Sequence, residues 1–476
     1  MATFSRRDFI KTAGLGAAGI GLYGLPAIRA TMSGINRPHI VLFMSDDHGV
    51  LDSSPYGSKV VRTPNLDRLA RESMRFTLAF AASPTCAPSR SALYTGRMPF
   101  RNGAHRNHSS VREGLKTLPH YFKELGYRVV LAGKVHVKPR EAFPFEYLPG
   151  ANRREPGKGR GLYMDLHTPA VDTLLAAHDK KRPLCLIVCS HSPHVYWPPN
   201  KEYDASAIDI PPTHVDTPVT RRVRTEYYTD VTLMDKRLGE VMASLEKHGY
   251  AGNLLFAYTS DQGAQWPFAK WNLYDGGIQV PLLVRWPGKI RPGSKTDAMV
   301  SLVDLLPTFM EAAGGRPPQD IDGRSFLPVL LGKKDKHRDV IFATHTRDGR
   351  MNDSPMRCIR TSTHKYVLNL KPDNTYTTHI TNGNDQDGRD YWESWLEQAK
   401  TDEHAAQIVR RYQHRPAEEL YDLRADPYET VNIADDPANK ELVTRLRDRL
   451  AAWRKQQGEA EAGPEPLPET PRRERR

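Results

Sequence analysis

Four apolar runs, each ending in residues that can do chemistry, constrain the fold of this chain more than any other feature. His39–Ser45 (H-I-V-L-F-M-S) runs into Asp46 and Asp47, and Arg128–Ala132 into Gly133, Lys134, Val135 and His136. Leu184–Cys189 runs into Ser190-His191-Ser192-Pro193-His194, and Leu254–Ser260 into Asp261-Gln262-Gly263. Near-continuous apolar runs of this length are the mark of strands covered on both faces. With helical patterns between them, they predict an α/β fold with a large, mostly parallel central sheet flanked by helices. Ligands in such sheets sit outside the carboxyl ends of the strands. Four ends carrying carboxylates, a lysine and histidines are therefore expected to converge on one site.

The remaining elements follow from spacing. Thr63 is expected to cap a helix with Pro64 at its first position and Leu66, Leu69 and Ala70 on its apolar face. Thr225–His248 reads as a long helix, with Tyr227, Val231, Met234, Leu238, Val241 and Leu245 at three- and four-residue steps before Gly249. Only short elements are expected between Pro139 and Pro183. A strand at Val280–Val284 and a helical region at Asp297–Ala313 precede a turn-rich connection over Gly314–His337. From about Asp339 the texture changes. Ile341–Thr344 and Lys365–Leu370 read as strands of a smaller antiparallel sheet, Lys371–Gly388 as a loop, and Glu441–Gln457 as a closing helix. The expected organisation is a main α/β domain over 36–335, a C-terminal α+β subdomain over 339–457 and a disordered tail over 458–476.

A hydrophobic content of 39% with 26% charged residues is ordinary for a globular protein, and the net charge of +12 suits an anionic substrate. Nothing calls for nucleic acid as a partner. Ser5–Lys11 (S-R-R-D-F-I-K) precedes a Gly/Ala-rich run too short to span a bilayer. Residues 1–30 thus resemble a twin-arginine signal peptide cleaved after Ala30, which predicts a periplasmic or secreted protein delivered by the Tat export machinery. No later segment is expected to span a membrane. Of the four cysteines, Cys185 and Cys189 share one strand-like run, roughly 13 Å apart, too far for a disulfide.

Ser83–Arg97 reads S-P-T-C-A-P-S-R-S-A-L-Y-T-G-R. Pro88 suits a first helical turn, which puts Cys86 at a helix N-terminus, where the dipole and Arg90 favour an anion. Asp46, Asp47, Asp261 and Gln262 offer hard oxygen donors of the kind that suit Ca2+, or Mg2+ with less geometric tolerance. They lack the thiolate or imidazole set that zinc prefers.

The C-x-P-S-R run followed by S-x-L-Y-T-G-R resembles the signature of the type I sulfatases of the alkaline phosphatase superfamily. T-P-N-L-D-R-L-A, Tyr274–Gly288 and E-L-Y-D-L-x-x-D-P-Y-E-T near Glu419–Thr430 extend the likeness over Arg37 to Gln457. The resemblance implies that Cys86 is oxidised to formylglycine (3-oxoalanine) by a formylglycine-generating or anaerobic sulfatase-maturating enzyme. It implies a calcium site on Asp46, Asp47, residue 86, Asp261 and Gln262, although Gln262 stands where the family usually has Asn. It implies that Arg90, Lys134 and His136 hold the nucleophile and the sulfate, with His136 acting as base in the last step, and that His194 or Lys270 protonates the leaving group. The larger domain would then be catalytic.

G-K-V-H-V-K-P followed by P-F-E-Y, and S-P-M-R at Ser354–Arg357, are most similar to heparan N-sulfatase. The implied reaction is hydrolysis of a sulfate ester or sulfamate on a sulfated saccharide, N-sulfoglucosamine being the preferred case. His105, His108, His345 and Arg357 are candidate substrate contacts. Two alternatives stay open: a phosphonate or phosphodiester hydrolase of the same superfamily, and an inactive polyanion-binding protein.

Overall fold

The computed structural model describes residues 37–154, 164–200 and 202–459. The expected signal peptide and nearly all of the expected tail lie outside the described residues. Eight strands form the main sheet: β1 (His39–Ser45), β2 (Met74–Phe76), β3 (Arg128–Gly133), β4 (Glu146–Tyr147), β5 (Leu184–Cys189), β6 (Leu254–Ser260), β7 (Leu282–Arg285) and β8 (Ser294–Thr296). Their spatial order is β8-β2-β7-β6-β1-β5-β3-β4. The four runs singled out in the sequence are the adjacent central strands β6, β1, β5 and β3, all parallel. β7 is antiparallel to both its neighbours, so the sheet is mixed toward that edge.

Both faces of β1 are covered. Ile40, Leu42 and Met44 enter one core, and Val41 and Phe43 the other, as the two-residue period of a strand requires. The second core is closed by a 30-residue helix, Pro218–Lys247, which buries Tyr227, Val231, Met234, Leu238, Val241 and Leu245. This helix starts seven residues before the expected Thr225. Thr217 caps it by accepting the Thr220 N–H at 3.0 Å, with Pro218 at the first position.

The helix Pro64–Glu72 forms where expected but is capped differently. The Thr63 hydroxyl accepts from the Ser54 N–H, and the helix's own N–H groups at Asn65 and Leu66 reach the Asp235 carboxylate at 3.0 and 2.8 Å. Between Pro139 and Pro183 the structure has a ten-residue helix, Thr168–Ala177, where only short elements were expected. Its Val171, Leu174 and Leu175 bury against the long helix side of the core.

A second, four-stranded antiparallel sheet, in the order β9 (Ile341–His345), β10 (Met356–Arg360), β11 (His364–Asn369) and β12 (Glu418–Asp422), follows. The helix Lys440–Gln456 packs on it, with Trp453 stacked on Phe342 at 4.5 Å between ring centroids. Two helices not anticipated from the sequence, Arg389–Gln398 and Glu403–Gln413, bury Tyr391, Trp392, Trp395 and Tyr412. All four cysteines are free and buried. Among the described residues no helix is long and apolar enough to cross a membrane.

Candidate active site

Because β6, β1, β5 and β3 run parallel, their carboxyl ends meet on one side of the sheet. Asp46 and Asp47 follow β1, Lys134 and His136 follow β3, His194 follows β5, and Asp261 and Gln262 follow β6. Gly133 makes the turn out of β3 possible. It sits at φ +92°, and a Cβ there would stand 1.9 Å from the Cys189 carbonyl oxygen. Only glycine tolerates that approach, and it lets the Lys134 N–H donate to the same oxygen at 3.1 Å.

The helix Cys86–Thr95 delivers the cysteine. Thr85 is the extended residue before it, Gly96 ends it in the left-handed conformation, and all ten residues are buried. Cys86 Sγ lies 3.4 Å from Asp46 Oδ1, 3.9 Å from Asp47 Oδ1, 3.8 Å from Lys134 Nζ and 3.2 Å from Gln262 Nε2. One turn on, Arg90 Nε donates to Asp261 Oδ2 at 2.7 Å, and its Nη2 is 3.7 Å from Asp46 Oδ1. Lys134 Nζ donates to Asp46 Oδ2. Lys270 Nζ donates to Asp47 Oδ2 at 2.5 Å and to Gln265 Oε1 at 3.2 Å. His194 Nε2 stands 3.7 Å from Asp47 Oδ2. Every residue expected to carry the nucleophile, the cation or the sulfate is in this neighbourhood, His136 entering it through Lys134's loop.

Burial and charge set the protonation states. Burial opposes the Asp46 charge, but the charged Lys134, Arg90 and Lys270 together hold that carboxyl well below its usual range. Burial raises Asp47, assisted by Asp46 and opposed by Lys270. Asp261 is pushed up to about 7 by burial, against the pull of Arg90. Burial, then Asp46, drives the Cys86 thiol well above its ordinary value, so it stays protonated at neutral pH. Burial and nearby cations lower His136 and His194 and keep both neutral.

The donor set fits a hard divalent cation. Carboxylate oxygens of Asp46, Asp47 and Asp261 all lie within 4.8 Å of one another. Gln262 Oε1 is buried with no partner among the described residues, while Nε2 faces Asp47 and Cys86. Rotating the amide by half a turn exchanges the two and puts the carbonyl oxygen among the carboxylates, so glutamine can serve in place of asparagine. The three carboxylates balance Arg90, Lys134 and Lys270 formally. A bound divalent cation would leave the cluster net positive, as an anionic substrate requires.

The four candidate substrate contacts separate. His108 Nδ1 is 2.8 Å from His136 Nε2, beside the cluster. His105 stacks on Phe100 with ring centroids 4.4 Å apart. His345 and Arg357 are given structural partners instead. His345 is 1% exposed with Nε2 on Asn352, and Arg357 is 2% exposed, paired with Glu459 and lying over Phe100. His345 Nε2 and the Arg357 guanidinium are committed to these partners, while His345 Nδ1 is buried with no partner among the described residues; the strand pattern alone could not show which side they face. The sequence reading missed Gln265, which shares Lys270, and Trp271 and Asp348, which stand behind His108. D-Q-G-A-Q could have drawn attention to Gln265. Asp348 carries no local signal, because it joins the site only through tertiary contact.

A family model described as Sulfatase matches residues 38–315, and one described as N-sulphoglucosamine sulphohydrolase, C-terminal, matches residues 263–383. The chain is 32% identical to an ulvan-active sulfatase of Formosa agariphila, over 89% of this chain and 81% of that protein. It is 30% identical to the N-sulphoglucosamine sulphohydrolase of Homo sapiens, over 88% and 90%. In shape it resembles BT4656 solved with its substrate D-glucosamine-2-N,6-O-disulfate, with a TM-score of 0.68 and 22% identity over 89% of this chain and 98% of that one. It also resembles the phosphonate monoester hydrolase of Agrobacterium radiobacter, with a TM-score of 0.67 and 19% identity over 88% and 96%.

Proposed function

The chain belongs to the sulfatase family and is a sulfuric ester hydrolase, and from that premise we propose that it removes sulfate from a sulfated saccharide, N-sulfoglucosamine being the preferred unit, by means of a formylglycine made from Cys86 and a bound Ca2+. The observation that carries the reading is Cys86 at a buried helix N-terminus, 3.2–3.9 Å from Asp46, Asp47, Lys134 and Gln262. Formylglycine at this position supplies a hydrated aldehyde as nucleophile, which a buried, protonated thiol cannot replace. Asp46, Asp47, Asp261 and Gln262 hold the cation, which supplies positive charge beside the nucleophile; Mg2+ fits the same donors with less tolerance.

The chain's own residues do the rest. Arg90 and Lys134 fix positive charge on the near side of the sulfate, and Lys270 does so from the opposite loop. Displacement at sulfur keeps negative charge on the oxygens throughout, so fixed cations stabilise its transition state. Lys270, charged beside Asp47, or His194 once it has taken up a proton, gives the leaving oxygen or nitrogen its proton, and His136, neutral in its buried position, takes one in the final step. The preference for N-sulfoglucosamine is supported by the match over residues 263–383 and by the human relative; the ulvan-active relative supports a different sulfated sugar.

We propose further that residues 1–30 direct Tat export, that conversion of Cys86 precedes it, and that the mature protein is periplasmic or secreted. The first test is the mass of the peptide containing residue 86, from protein made in its native host. Conversion lowers it by about 18 Da, as replacement of CH2SH by CHO requires. Turnover of N-sulfoglucosamine, a sulfated ulvan oligosaccharide, an aryl sulfate and an aryl phosphodiester then assigns the substrate. An intact thiol in active protein overturns the mechanism, and faster turnover of the phosphodiester overturns the substrate class.

A further inference from the structure

His136, the base of the reading above, is held in an unusual way. Its backbone sits at φ +45°, and its Nδ1 is buried without a hydrogen-bond partner among the described residues. Its Nε2 lies 2.8 Å from His108 Nδ1. His108, also at positive φ (+64°), presents Nε2 to Asp348 Oδ1 at 3.4 Å. Asp348 is 3% exposed, and its other oxygen accepts from Trp271 Nε1 at 2.6 Å and Asn107 Nδ2 at 2.9 Å. Asn107 Oδ1 in turn accepts the Ala87 N–H at 3.2 Å, which ties Asp348 to the first turn of the helix that carries Cys86. Trp271 N–H donates to the Pro84 carbonyl at 2.9 Å, just before the same helix.

With both rings neutral, proton counting along this chain leaves two arrangements. In the first, His108 Nε2–H donates to Asp348, His108 Nδ1 accepts from His136 Nε2–H, and His136 Nδ1 carries a bare lone pair. In the second, Asn107 Nδ2, 3.3 Å from His108 Nε2, donates to it. His108 Nδ1–H then donates to His136 Nε2, and His136 Nδ1 must carry a buried hydrogen with no acceptor. That second arrangement points a lone pair at the Asp348 carboxylate and buries an unsatisfied N–H, the costlier kind of orphan. The first satisfies every ring donor. The Asn107 amide still has its Asp348 bond, at the shorter distance of 2.9 Å.

We propose that Asp348, acting through His108, is a positioning residue that fixes the tautomer of His136 so that Nδ1 is the proton-accepting atom of the site. This deepens the reading of His136 as a base and rests on it. A neutral imidazole has one acceptor nitrogen, and which one it is depends on the bond that the other makes. Asp348 and His108 therefore act on the rate without touching the reacting atoms. Their distance in sequence from Cys86 hides the connection, and the shared contacts with the Cys86 helix make it rigid.

The test uses the matured, metal-loaded enzyme labelled with 15N-histidine. Long-range proton–nitrogen correlation, with His136→Gln identifying the signals, reads which ring nitrogen of His136 is protonated. The expected result is a protonated Nε2 and an unprotonated Nδ1. In Asp348→Asn the new amide can donate to His108, so the His136 tautomer inverts or becomes mixed, kcat falls roughly 10–100-fold, and KM stays within about threefold. His108→Gln, at a half-exposed position, gives a similar loss. The double variant is no worse than the worse single one, because both act through one path. A protonated Nδ1 in the unaltered enzyme, a tautomer unmoved by Asp348→Asn, or additive losses in the double variant each overturn the proposal. Full turnover by His136→Gln overturns the reading of His136 as base, and it does so whatever the tautomer proves to be.

Discussion

Gly133→Ala separates two costs that the end of β3 combines. The first is conformational: at φ +92° an alanine is strained by about 1–2 kcal/mol. The second is steric. The new Cβ would meet the Cys189 carbonyl oxygen at 1.9 Å and its carbon at 2.9 Å, against the 3.4 Å at which ordinary contact begins. Both atoms are backbone of the neighbouring central strand, so no side chain can swing away, and the strand ends must part by roughly 1.5 Å, an overpacking penalty of about 1–3 kcal/mol. Lys134 is the next residue and hangs from the same carbonyl, so the ammonium beside Asp46 and Cys86 moves with it. A displacement of order 1 Å at a catalytic group costs about 100-fold in rate. Gly133→Ala is therefore expected to lose roughly 2–5 kcal/mol in urea unfolding and at least about 100-fold in kcat/KM on an aryl sulfate. Gly332→Ala is the control: its φ is +67°, but nothing lies within 4 Å of its added Cβ. It should lose only the conformational part and none of the activity. If Gly133→Ala matches Gly332→Ala in both measurements, close approach of β3 and β5 does not position Lys134, and the reasoning fails.

Other perturbations test separate parts of the structure. Gln262→Ala should weaken Ca2+ binding about 10–100-fold by calorimetry, and Gln262→Asn should retain most of it; equal affinity in all three proteins would remove Gln262 from the donor set. His345 is lowered to about 4, chiefly by burial, so the unfolded chain binds its proton first as pH falls below 6.5. Its contribution is intact above pH 6.5 and is lost on going down to pH 4, by roughly 3 kcal/mol, and His345→Gln should flatten that part of the stability profile in urea. Asp235→Ala removes the acceptor for two N–H groups and the Asn65 amide at the start of the helix Pro64–Glu72, and should cost about 2–3 kcal/mol in the same assay, with Asp235→Asn recovering part of it.

The sheet was legible because its central strands are covered on both faces and so are written as uninterrupted apolar runs. The site was legible for a related reason: parallel strands put their next residues on one side, so Asp46, Lys134, His194 and Asp261 could be grouped before any contact was known. What stayed hidden depends on partners far away in sequence. Thr63 looks like a cap, yet Asp235 competes for the same N–H groups from a helix 170 residues later and wins with a full charge. The long helix begins at Pro218 because Thr217 caps it, but V-T-R-R-V-R shows no clean apolar period. Arg357 and His345 look like polar groups offered to a ligand, and only the register of β9 and β10 turns them toward Glu459 and Asn352.

Backbone strain marks where the site resists relaxation. Asp47, His108, His136 and Trp271 all adopt positive φ without being glycine. Such residues cost of order 1–3 kcal/mol each and persist only where surrounding contacts over-determine them. Each of the four is tied to an element that strain alone could not move. The Asp47 N–H lies on Asp261, Trp271 hangs from Pro84, and His108 is bonded both to His136 and to Asp348. Phe268 and Glu429 share this conformation away from the cluster, so it is the ties of these four to the site, and not positive φ alone, that set them apart. The side chains retained at the four are a cation ligand, a base, the histidine bonded to that base and the tryptophan that donates to Asp348. The same contacts that hold them in strained turns hold them at fixed distances from Cys86, so activity is expected to fall before stability does when any one of these ties is cut.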